Sequence, residues 1–120
     1  MDESILTSVK KMLGIPDEYT HFDMDIIMHI NSVFSILNQL GVGPSDGFSI
    51  KDKTTKWSDY ISNSLKLESV KSYVYLKVRL IFDPPASSSA MEAMKQLISE
   101  LEWRLNVTVD PGEEETTNGE

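Results

Sequence analysis

Two histidines are the only imidazoles in this 120-residue chain, and they limit the acid–base and metal chemistry it can carry. His21 lies between two helical patterns. His29 follows Asp25 by four residues, which puts imidazole and carboxylate on one face of a helix. Two ligand types from one helix do not make a metal site, because hydrolytic zinc needs a third protein ligand and an open position. The pair reads instead as surface helix support worth about 0.3 kcal/mol. The carboxylate pairs Asp23/Asp25 and Glu100/Glu102 are two residues apart, where helical side chains diverge by about 200°. Neither pair converges on a substrate; the first suits a helix N-terminus and the second a solvated flank. No serine occupies a Gly-x-Ser-x-Gly elbow, and Gly41, Gly43 and Gly47 do not open a Lys-bearing helix as a phosphate loop would. Cysteine is absent, which removes thiolate nucleophiles, thiolate metal sites and disulfides. The expectation is a non-enzyme with no catalytic, cofactor-binding or metal residues.

Charge narrows the partners. A formal net charge of -8 argues against independent nucleic-acid binding, where affinity rests mainly on phosphate neutralisation. Glu113, Glu114, Glu115 and Glu120 crowd the end of the chain, leaving the rest mildly acidic with a basic pair at Lys10-Lys11. Lys51, Lys53, Lys56 and Lys66 lie near Trp57 and Tyr60 in sequence and are read as a hydrated loop over a small aromatic core. The densest apolar stretch, Val74 to Phe82, is broken by Lys77 and Arg79 and is too short to span a bilayer. No helical pattern opposes a large apolar face to a Lys-rich one, so no membrane partner is expected. Met1-Asp2-Glu3-Ser4 lacks the positive start of a secretory signal, and Asn106-Val107-Thr108 is read as a chance glycosylation match.

The elements that must position these side chains are helical. The fold class expected is all-α: a small bundle of three to four main helices with a loop-rich insertion and a disordered acidic C-terminal tail. Residues 3–13 carry an apolar face of Ile5, Leu6, Val9, Met12 and Leu13, opened by Asp2 or Glu3 and stopped by Gly14 and Pro16. Asp23 caps a second helix, 23–41, striped by Ile26, Ile30, Val33, Phe34 and Leu37. Gly43-Pro44-Ser45-Asp46-Gly47 is a surface turn; Phe48-Ser49-Ile50 reads as loop, and Thr55 to Ile61 as a turn or two of helix. Residues 66–82 are apolar around most of the helix, so they are either central or shared with another subunit. Asp83-Pro84-Pro85 ends that helix, and Ser89 with Glu92 forms a capping box for the last one, 89–106. Ile30, Phe34, Leu37, Val74, Val78, Ile81, Leu97 and Leu101 are the predicted core. Asp110-Pro111-Gly112 reads as a stop that separates a domain at 1–109 from an acidic flexible tail at 110–120.

The string Val74-Tyr75-Leu76-Lys77-Val78-Arg79-Leu80-Ile81-Phe82-Asp83-Pro84-Pro85, followed by Glu100-Leu101-Glu102-Trp103-Arg104-Leu105-Asn106, is distinctive. With Asp25-Ile26-Ile27 and Trp57-Ser58-Asp59-Tyr60-Ile61 before it, the chain resembles the head–tail connector (head-completion, adaptor) proteins of tailed bacteriophages and prophages over roughly residues 2–109. The resemblance implies a structural virion subunit at the head–tail junction, present in the host cytoplasm before assembly. It implies a ring, usually of twelve copies, beneath the portal protein, which extends the DNA channel and docks stopper and tail-completion proteins. Genomic DNA would pass through without sequence-specific binding, and no catalytic residues are implied. Tyr73, Tyr75, Leu76, Leu80 and Phe82 on helix 66–82, with Trp103, are the candidate subunit or partner interface; Glu113, Glu114 and Glu115 are candidates to meet a basic portal rim. The competing class is a standalone helical binding or regulatory module.

Overall fold

The computed structural model describes residues 3–62 and 64–114, with side-chain surroundings for 3–62 and 65–106. Its helices are α1 (Ile5–Leu13), α2 (Asp23–Gln39), α3 (Trp57–Tyr60), α4 (Ser64–Phe82) and α5 (Ser88–Glu114), with no strand among the described residues. The all-α expectation holds. α4 is central and packs against α1, α2 and α5, which explains its apolar girth.

Side-chain chemistry sets each helix end. Ser4, not Asp2 or Glu3, caps α1: its Oγ accepts from the Thr7 N–H at 3.2 Å. Gly14 closes α1 in the left-handed conformation at φ 81°, as expected. Asp23 is the first residue of α2 rather than its cap, because its carboxylate is committed to Lys10. α2 ends at Gln39, two residues short of the expected Gly41. At α5 the predicted capping box gives way to Ser87, whose Oγ accepts the Ala90 N–H at 3.1 Å. Three consecutive serines offer three registers, and Ser87 captures the amide first. α5 then runs on to Glu114 past the expected stop at Asp110-Pro111-Gly112. The rest of the acidic tail, Glu115 and Glu120 included, lies outside the described residues.

The core joins Ile5 and Val9 of α1, Ile26, Ile30, Phe34 and Leu37 of α2, and Val70, Tyr73, Val74 and Val78 of α4. Met94, Ile98 and Leu105 seal it from α5. The stretch between α2 and α4 belongs to the same core. Phe34 packs against Tyr60 (centroids 4.7 Å) and Phe48 (5.1 Å), and Trp57 is fully buried. Phe48-Ser49-Ile50 has no strand partner; the Asn31 amide serves instead, donating to the Ile50 carbonyl at 3.0 Å and accepting its N–H at 2.7 Å. Gly43 sits at φ 88°, and a Cβ there would lie 2.5 Å from the Tyr60 ring, so glycine is required on both counts.

Five of the eight predicted core residues are buried: Ile30, Phe34, Leu37, Val74 and Val78. Three depart from the prediction. Ile81 is 54% exposed at the end of α4, where Phe82 takes the inward position against Phe22. Leu97 is 51% exposed, because Ile98 takes the inward position on α5. Leu101 is half-buried at the rim. Met12, placed on the inner face of α1, is also partly exposed at that helix's end.

Candidate functional site

Among the described residues no group of three or more His, Cys, Asp or Glu is placed to hold a metal ion. His29 is half-buried and Asp25 exposed on α2, and His21 meets Phe22 edge-on (4.8 Å) and Tyr19 at a tilt (6.0 Å). Glu100 pairs with Arg104 at 2.8 Å, whereas Glu102 accepts the Tyr73 hydroxyl at 2.7 Å. The two carboxylates thus serve separate partners. Burial and the Glu102 carboxylate push the Tyr73 hydroxyl well above the ordinary tyrosine range, and burial does the same to Tyr60.

One buried charge escaped the sequence reading. Lys10, read only as part of a basic pair, is 1% exposed. Its ammonium donates to the Asp17 carbonyl at 2.9 Å and pairs with Asp23 Oδ1 at 2.9 Å, an oxygen with no other donor among the described residues. It clamps α1, the connector and the start of α2. The four-residue step from Leu6 to Lys10 was the available signal, since it places Lys10 on the apolar side of α1.

The lysines near Trp57 do not form a base-stacking surface. Lys51, Lys53 and Lys56 are exposed, but Trp57 and Tyr60 beneath them are buried. Trp57 Nε1 donates to Ser8 Oγ at 2.8 Å and Tyr60 Oη to the Val42 carbonyl at 3.3 Å. Stacking platforms for nucleic acid need open aromatic faces. These rings are part of the core.

What remains is surface. Of the proposed interface residues, Tyr73 is fully enclosed and hydrogen-bonded within the chain, so it belongs to the core rather than to the single chain's surface. Tyr75, Leu76, Leu80 and Phe82 are half-buried; Trp103 is 66% exposed on the outer side of α5. The side chains of Glu113, Glu114 and Glu115 lie outside the described residues. Leu76 enters a groove of about 260 Å³ along the α4–α5 seam, with Ser72, Leu97, Leu101, Glu100 and Arg104. A second hollow of about 160 Å³, lined by Leu65, Lys66, Ser69, Arg104 and Leu105, extends it toward the start of α4. Leu65 is 86% exposed there. The sequence reading missed Leu65 and assigned Leu97 to the core. About 100° per residue along α5 turns Leu97 aside from the Met94–Ile98–Leu105 stripe that the neighbouring helices bury.

The α4–α5 seam thus leaves apolar surface open in the single chain. Residues 5–112 match the family model described as phage connector protein. The chain belongs to that family. No curated protein and no solved structure gives a match. As a member it has a phage connector role, is a structural component of the virion and interacts with other phage head or tail proteins. No helix of the connector among the described residues is long and apolar enough to cross a membrane.

Proposed function

We propose that the chain is a non-enzymatic head–tail connector subunit that closes into a ring, of about twelve copies by family resemblance, beneath the portal. The ring extends the DNA channel and offers a docking surface to the stopper and tail-completion proteins. The observation that carries this is the family match, which spans nearly all of the described fold. Two physical features agree with it. A net charge of -8 repels DNA and so suits a channel along which DNA slides. The α4–α5 groove leaves apolar surface open in the single chain. Subunits would wait in the host cytoplasm and enter the virion on joining the portal.

Mass measurement of the chain with and without the portal protein of the same phage tests the reading. Weak association alone and a ring on the portal are expected. If the chain neither joins the portal nor forms a ring in its presence, the standalone-module reading replaces this one. A chain ending at Asp110 addresses Glu113, Glu114 and Glu115: it should bind a basic portal rim more weakly, and equal binding would remove the role given to those carboxylates alone.

A further inference from the structure

Between Asp25 and Asp46 the sequence holds no Asp, Glu, Lys or Arg, in a chain that is 25% charged. Burial explains only the inward half of that stretch. At about 100° per residue, Met24, Met28, Ser32, Ser35 and Gln39 fall within about 80° of one another around α2, opposite the buried Ile30 and Leu37. All five are exposed, Met24 at 76% and Met28 at 63%. Solvated helix faces ordinarily carry charge, and those of the other helices do. Lys11 on α1, Asp59 on α3, Glu68 on α4, and Glu92, Lys95 and Glu100 on α5 are all exposed. The outer strip of α2 is instead uncharged and holds two open methionines. That is the composition of a contact core, where charge is depleted and Met enriched.

Charge also selects the occupant. Nucleic acid would need cations, and the strip has none. A partner recognised by charge would be held by the charged faces elsewhere. A second copy carries the same net charge of -8, so two copies approach with least repulsion where neither presents charge. Among the described residues the strip is the one helix face of that kind, and a copy can offer only the same strip in return. Contact between identical patches is two-fold. We infer that the occupant of the α2 strip is the α2 strip of a second copy, packed antiparallel about Ser32. This register seats Met28 of one copy against Ser35 of the other and sets Ser32 beside its own equivalent. It also holds the two Asp25 residues about 20 Å apart along the helices, beyond the Debye length of about 8 Å at 0.15 M salt. Parallel packing would bring them together. The strip is about 24 Å long on a helix about 10 Å wide. That is well short of the roughly 1,200 Å² that stable complexes bury, so the dimer is weak. Ring neighbours meet through unlike surfaces; the α2 contact therefore belongs to free copies and stands apart from the ring reading.

Ser32 is the position to test, because the two-fold sets it against itself and the chain has no cysteine to compete with an introduced thiol. Without the portal, Ser32→Cys chains should oxidise to disulfide dimers about tenfold or more faster than Ser99→Cys chains, whose thiol stands on the exposed side of α5. Sedimentation gives a second measurement. Ser32→Glu should weaken self-association by about tenfold or more, because it brings like charges into contact. An equal mixture with Ser32→Lys chains should restore it, and Ser99→Glu should leave it unchanged. Ser32 and Ser99 are exposed within their helices, so the substitutions keep the fold, which circular dichroism checks. Equal cross-linking at Ser32 and Ser99, or association that Ser32→Glu leaves intact, would overturn the inference. A mixture that fails to restore association would mean that α2 meets some other surface, and would overturn it as well.

Discussion

At the scale of single residues, the fold depends on polar atoms that found partners inside it. Lys10 and Asp23 are the sharpest case. Removing one member of a buried pair typically costs about 3–5 kcal/mol by leaving the other charge uncompensated. Asp23 keeps 23% exposure and still sits at the positive end of α2, so Lys10→Met should cost less, about 2–3 kcal/mol. Urea denaturation measures it, and Lys10→Met with Asp23→Asn should recover part of the loss; a silent single variant would mean the clamp is decorative. The tyrosines predict a pH dependence. Tyr60 and Tyr73 have folded pKa values above the ordinary value of 10.0, so the unfolded chain releases their protons first as pH rises. Their contribution is therefore whole below about pH 10 and falls above it, by about 1.4 kcal/mol per pH unit per tyrosine. Tyr73→Phe removes one of the two shares. Stability measured from about pH 9 to 11 should decline less steeply in that variant. An unchanged slope would show that Tyr73 ionises as readily folded as unfolded.

At the scale of elements, legibility followed periodicity. α2 and α4 were plain in the sequence because each has a long apolar stripe with a glycine or proline signal beyond it, and the shared core of Phe34, Val74 and Val78 followed. The aromatic turn at Trp57 and Tyr60 was also legible, but not its union with the main core, which depends on Phe34 and on Asn31 standing in for a strand. Neither long-range contact leaves a local pattern. The helix ends were less legible because neighbouring residues compete for one capping role, as Ser87 does with Ser89. The groove was half legible: Leu76 was named, but Leu97 and Ile98 are adjacent leucine-like residues, and only a neighbouring helix decides between them. That difference is measurable. Ile98→Ala should cost about 2–4 kcal/mol, while Leu97→Ala should cost below about 1 kcal/mol because its side chain is already half in water. Thermal or urea unfolding of the two variants checks it. Equal losses would place Leu97 in the core after all and close the groove.

At the scale of the whole molecule, the governing quantity is a net charge of -8 carried by a subunit proposed to crowd with its copies. Two electrostatic effects act on that association with opposite sign. Local pairs between oppositely charged side chains of neighbouring subunits are attractive and weaken as salt screens them. Repulsion between whole subunits sums over many charges at longer range, and it weakens too. The ranges decide the outcome. The Debye length shrinks from about 30 Å at 0.01 M to about 8 Å at 0.15 M salt, so the first salt added removes the long-range repulsion. Contact pairs a few ångströms apart survive that change, and exposed pairs contribute only about 0–1 kcal/mol each in any case. Self-association of the connector alone, followed by sedimentation at fixed concentration, should therefore strengthen from about 0.01 M to about 0.15 M salt and level off beyond. The same charge predicts no duplex DNA binding across that range, because binding needs Lys and Arg to neutralise phosphates and release the counterions condensed on DNA, and this chain is net negative. Association that falls steadily with salt would mean that the contact between copies is held by charge pairs, and that an uncharged surface is not what joins them.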